Sequence, residues 1–202
     1  ILKEIIYFKY ILLYKETVMA HFARIKRQPN SFTNEMEWTV QEVIVASNDI
    51  PTSNGPLGSN DMHVDGETYV ANMFKHMYPE NENVWKQTSY NKNFRNIFAG
   101  TSCIYLETAD KFIEPQPHSS WYLNNQDEWT APITRPTVET FPNPNAGQEG
   151  EPDTLVYFIK WDETAYQADN SKGWKAMAEN STENKITHEW DSDNLQWVAI
   201  SE

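Results

Sequence analysis

Trp38-Thr39-Val40-Gln41-Glu42-Val43-Ile44-Val45-Ala46 is the stretch on which the fold turns. Five of its nine residues are β-branched, stiff at χ1 and suited to a pleated surface, so the run predicts an inner or half-buried strand. Upstream, Phe22–Ile25 reads as a short β-like start, followed by a polar loop holding Pro29, Asn30 and Asn34. Downstream, a loop rich in Gly, Pro, Ser and Asn (48–66) leads to a predicted helix at Glu67–Met77. Tyr69, Val70, Met73, Phe74 and Met77 recur there at three- and four-residue intervals as one apolar stripe. Glu67 suits the first turn, Lys75 and His76 the last, and Pro79 ends the run. Val84–Tyr90 reads as a returning strand. Such a helix must bury its stripe on something, and the sheet holding 39–46 and 84–90 is the expected surface. Residues 19–90 are therefore expected to form a small α+β domain.

From Asn91 the texture changes. Residues 91–133 read as an extended, hairpin-bearing segment, in which Ile104–Leu106 pairs with Lys111–Ile113 and Glu114–Ser120 is irregular and proline-bearing. Three aromatic hairpins are expected: Trp121 before a polar turn and Trp129 after it; Leu155–Trp161, then a polar link, then Gly173-Trp174 to Met177; and His188-Glu189-Trp190, a turn, then Gln196-Trp197 to Ile200. Residues 134–150, rich in Pro, Asn and Gly, read as a linker, and 151–202 as an acidic, Trp-rich hairpin region. The fold class is α+β, mainly β: a small sheet with one packed helix, followed by aromatic-rich β-hairpins.

Composition agrees. Eight Trp, ten Tyr and nine Phe carry much of the apolar content, and broad rings favour strands and short hairpins over a helical bundle. The net charge is -13, and residues 101–202 hold six Lys or Arg against eighteen Asp or Glu. That balance opposes binding to a nucleic-acid backbone. Ile5–Leu13 is apolar but interrupted by Lys9, too short to span a bilayer, and neither membrane association nor a signal peptide is expected. Residues 1–18 are read as an N-terminal extension, with Met19 the expected initiator.

No catalytic set stands out, and the chain is not expected to be an enzyme. The dinucleotide fingerprint, the phosphate loop, the paired-His zinc helix and the nucleophile elbow are absent, and no cofactor or metal is expected. Cys103 is the single cysteine, which excludes an intrachain disulfide; it reads as a small semi-buried residue before it reads as a nucleophile. Asp162-Glu163 and Asp191–Asp193 stand beside tryptophans, as glycosidase carboxylates often do, but a cleft with two facing carboxyls is not expected from short hairpins. Asp191-Ser192-Asp193-Asn194 alternates oxygen ligands, yet lacks the Gly and the distal Glu of a calcium loop, and turn formation accounts for it. Trp121, Trp129, Trp161, Trp174, Trp190 and Trp197 are the candidate binding or packing residues. Exposed, they would stack on a glycan or a protein partner, with Trp161 and Trp174 the platform; buried, they would form the core.

Several segments, taken together, resemble a family of small structural proteins of tailed phages of the marine, cyanophage type. They are Met19-Ala20-His21-Phe22-Ala23, Glu42-Val43-Ile44-Val45, Trp85-Lys86-Gln87-Thr88-Ser89-Tyr90-Asn91, Arg95 to Gly100, Asp110 to Pro117, Ser120 to Asn124, Trp129-Thr130-Ala131-Pro132, and the closing Trp190-Asp191 and Trp197-Val198. The resemblance spans about 19–132 and 187–202; 141–186 falls outside it. Thr101 to Leu106 replaces an aromatic hairpin usual in the family, and Glu128 stands where a Cys is common. What the resemblance implies is a virion component made in the host cytoplasm as a late protein: a capsid-decoration, tail or fibre protein. Its implied partners are other virion proteins and itself. A carbohydrate or host-receptor binder is the alternative, and a glycoside hydrolase a remote one.

Overall fold

The computed structural model describes residues 19–52, 55–57, 64–143, 145–179 and 186–200. The expectations for residues 1–18 lie outside them, as does much of the 48–66 loop. The chain forms two compact units divided between Pro115 and Gln116, each mostly β.

Unit 1 is built on a long hairpin of β1 (Met19–Pro29) and β2 (Met36–Ser47). β1 extends well beyond the short start expected, because β2 gives it a partner along its whole length. The register shifts between Arg24 and Ile25, where Glu42 and Val40 are the opposing residues and Gln41 is the extra one. This bulge puts Val40 and Val43, three apart, on the same face, which strict alternation would forbid. β5 (Val84–Thr88), β6 (Ile104–Leu106) and β7 (Lys111–Ile113) complete a curled sheet of order β5-β1-β2-β6-β7. The hairpin of 104–113, expected in the following segment, thus belongs to this first sheet. Ala23, Ile25, Val40, Ala99, Cys103, Tyr105 and Phe112 fill one side of it.

The gap between edge strands β5 and β7 is bridged by one residue. Arg95 and Asn96 both have positive φ, at 57° and 71°, which turns the chain sharply between the two strands. The Arg95 guanidinium donates to the Gln87 carbonyl of β5 (2.8 Å), and the Arg95 carbonyl accepts from the Phe112 N–H of β7 (3.0 Å). Asn96 Nδ2 donates to the Phe112 carbonyl (3.1 Å).

Helix α1 (Val64–Phe74) covers the other side, where Ala20, Phe22, Ile50, Leu57, Val70 and Trp85 cluster. It starts and ends three residues before the predicted Glu67–Met77. Only two of the five residues of its predicted stripe turn inward: Val70 is fully covered and Phe74 packs on Trp85, while Tyr69, Met73 and Met77 face solvent. The cause is the rotation of the helix. Gly66 approaches so closely that a Cβ there would lie 2.9 Å from Leu57 Cδ1, and Glu67 is drawn inward to pair with Arg95. The inward face is then Gly66, Glu67, Val70, Ala71 and Phe74, and the Tyr69/Met73/Met77 line rolls outward.

Unit 2 is a five-stranded sheet, β10 (Thr140–Pro142), β11 (Thr154–Trp161), β12 (Trp174–Ala178), β13 (His188–Asp191) and β14 (Gln196–Ala199), in that order. A small hairpin, β8 (Tyr122–Leu123) with β9 (Trp129–Thr130), precedes it. Trp161 pairs with Trp174 and Trp190 with Trp197, while Lys175 opposite Glu189 joins the two pairs, so four indoles form one lateral row on the inner face. Ring centroids lie 5.2 Å apart in the first pair and 5.1 Å in the last, both edge-to-face. Gly173 (φ +155°) makes room for this row: a Cβ there would sit 2.5 Å from the Trp161 ring.

Two stretches differ from expectation. Residues 134–150, read as a linker, contain β10 and the fully buried Pro136. The chain is held there by indole N–H groups, Trp174 donating to the Ile133 carbonyl (2.8 Å) and Trp197 to that of Val138 (2.7 Å). Proline suits such a strip, since its missing N–H needs no partner when buried. The polar link 162–172 contains a short helix, α2 (Glu163–Ala168), capped by Asp162, which accepts from Ala165 N–H (3.0 Å).

Candidate interaction surfaces

The residues best suited to chemistry are committed to structure. Glu163 accepts from four donors: Ser119 Oγ (2.6 Å), Ser120 Oγ (2.7 Å), Gln167 Nε2 (2.8 Å) and Trp161 Nε1 (2.8 Å). Burial pushes its carboxyl up, but these donors outweigh it and hold the pKa down to about 2. A general acid needs the reverse. Asp162 caps α2 and pairs with Lys175 at 3.0 Å. Asp191 accepts from Asp193 N–H (3.1 Å) and Asn194 N–H (3.0 Å), which is ordinary turn chemistry and occupies one of the oxygens a calcium ion would use. Cys103 is buried, its thiol is pushed up by burial, and its sulfur accepts from Gly100 N–H (3.3 Å). Among the described residues, no three His, Cys, Asp or Glu side chains converge as a metal set.

A buried ion cluster lies in unit 1. Arg95, 3% exposed, touches Glu67, itself 9% exposed, and Asp110 (2.7 Å). Glu67 also accepts from Gln87 N–H (2.8 Å), and the Tyr105 hydroxyl donates to Asp110. Burial alone would raise the Asp110 pKa; the Tyr105 and Arg95 bonds outweigh it and lower it. Every charge has its partner, as a clasp requires.

Nor do the six tryptophans form a stacking platform. Trp161, Trp174 and Trp190 are buried in one cluster with Ala131, against which Trp121 and Trp197 pack. Of the two readings of Trp161 and Trp174, exposed platform or core, the structure gives the core: on β11 and β12 their inward register buries them. Trp121 also turns inward, toward Trp161 and Trp174, and leaves Leu123 opposite Trp129 in the small hairpin. Trp129 is half-buried.

Three surfaces stand out among the described residues. Tyr69 and Met73 on α1, and Met77 in the turn that follows it, are 39%, 54% and 67% exposed. On unit 2, the sheet face opposite the tryptophans presents Val156, Phe158, Val198 and Ile200 to solvent. Beside it lies a groove of about 380 Å³ lined by Glu189, Asp191, Asp193, Val198 and Ile200. No helix among the described residues is long and apolar enough to cross a membrane.

Acid should act on unit 2 in two stages. Burial lowers the folded-state pKa of His188 below 6.5, so its protonation opposes folding as pH falls below that value. Glu163, with its folded value near 2 against an ordinary 4.5, contributes stability that is full above 4.5 and lost as pH falls toward 2. Thermal melting across pH should show both declines, and Glu163→Gln should flatten the lower one. A lower decline unchanged in that variant would place its origin elsewhere.

Comparison with family models, with curated proteins and with solved structures returned no match.

Proposed function

We propose that this chain is a non-catalytic structural component of a tailed-phage particle, a head-decorating, tail or fibre protein that works through protein–protein contacts. The observation that carries the contact reading is the exposed Tyr69/Met73 pair, continued by Met77 in the following turn, on a helix whose opposite face is fixed by Glu67 and Arg95. Methionine is flexible and polarizable, and with one aromatic it makes an adaptable adhesive strip on a rigid base. The phage assignment is supported by the resemblance of 19–132 and 187–202 to small virion proteins. A glycan binder ranks second: Trp161, Trp174 and Trp190 are buried in the unit 2 core, which removes the tryptophan platform on which that reading relied.

Labelled electron microscopy of purified particles tests the reading. The expected result is a fixed location on head, tail or fibre, and Met73→Asp, at an exposed position, should fold normally yet fail to incorporate. Absence of the protein from particles overturns the proposal. Specific glycan-array binding in its place would favour the second reading.

A further inference from the structure

The outer face of the unit 2 sheet reads, in one lateral row, Lys160, Lys175, Glu189 and Val198 across β11, β12, β13 and β14. In the next row Phe158 lies opposite Met177. Phe158 is 53% exposed, Val198 47%, Ile200 44% and Val156 41%, an unusual apolar density for an outward sheet face. We infer that this face pairs with the same face of a second copy of the chain in a two-fold symmetric dimer.

The charges select that occupant. A two-fold axis along β12, lying between stacked sheets, places β11 of each copy over β13 of the other. Lys160 then meets Glu189 of the partner subunit, twice over. Each Lys160 enters the groove in which Glu189, Asp191 and Asp193 outnumber the one cation, Lys172. Lys175 falls on the axis, where two ammonium groups would repel; each is already paired with its own Asp162 at 3.0 Å. Glu189 holds Lys172 at 3.0 Å on its own chain and keeps its other contacts for the incoming Lys160. Phe158, Met177 and Val156 supply the apolar contact, and sheets stacked face to face sit about 10 Å apart, within reach of these side chains. An unrelated partner would have no reason to meet a positive β11 and a negative β13 in the same row. A second copy meets both by symmetry.

The inference concerns the free protein in solution and is independent of the particle assignment. Sedimentation equilibrium of the full chain should show a monomer–dimer equilibrium. Phe158→Glu should weaken it by about 30-fold or more, as expected for an aromatic anchor. Lys160→Glu and Glu189→Lys should each weaken it by about tenfold or more, because each sets like charges together twice. An equimolar mixture of those two variants should associate again, since only the mixed dimer restores opposite charges at both contacts. Circular dichroism of each variant checks that the fold is kept; Lys160→Glu breaks no bond seen within the chain, so it remains informative if Glu189→Lys unfolds. A chain that stays monomeric at every soluble concentration overturns the inference. So does a dimer indifferent to Phe158→Glu and Lys160→Glu.

Discussion

Replacing Arg95 with alanine should destabilise unit 1 by about 3–5 kcal/mol, because it strands the buried Glu67 carboxylate without its counter-charge. The same change removes the donor to Gln87 O and frees Asp110 from its ion pair. Urea unfolding followed by hydrogen exchange should show β5 and β7 losing protection together, since both edges are bonded to this residue. Arg95→Met combined with Glu67→Gln should recover part of the loss, because no charge is then left buried alone. If the double variant were as unstable as the single, contacts other than the charge pair would be holding the sheet.

Trp174→Ala should cost unit 2 about 3–5 kcal/mol, the usual range for deleting a buried Trp or Phe. Trp174 is 5% exposed, meets Trp161 edge-on and Trp121 at a tilt, and ties the 131–138 strip down through Ile133. The expected readout is loss of exchange protection across β11–β13 with unit 1 unaffected. A folded Trp174→Ala protein lacking only a ligand affinity would instead make the tryptophan row a binding platform and contradict the packing described above.

What the sequence made legible was local. Trp190 and Trp197 stand directly opposite in the register, as the turn between them required, and the 38–46 strand follows from its β-branched run. The helix was readable as an element but not in its rotation, which depends on Glu67 meeting an arginine 28 residues away. Hydrophobic periodicity put Tyr69 and Met73 inward because it does not register a buried ion pair pulling the opposite way. The 134–150 stretch has the composition of a linker; nothing local reveals that distant indoles will bind the carbonyl of Ile133 at its entrance and that of Val138 within it. Asp162 before Glu163 was a legible cap signal for α2, obscured by the polar run around it. The candidate surfaces were the least legible, because exposure is what remains after all long-range pairings are satisfied.

The bridge between β5 and β7 has a further consequence for the edges of this sheet. An open strand edge is a template on which a neighbour's strand can add, and successive additions lead to fibres. In unit 1 the Gln87 N–H and carbonyl are taken by Glu67 and Arg95, and the Phe112 N–H and carbonyl by Arg95 and Asn96. Each edge is thus closed at one rung, Gln87 on β5 and Phe112 on β7. A neighbour's strand therefore cannot add at Gln87 or Phe112 without first breaking the clasp. Opening the clasp should reveal itself first as thioflavin-positive aggregate, before any loss of native secondary structure is measurable.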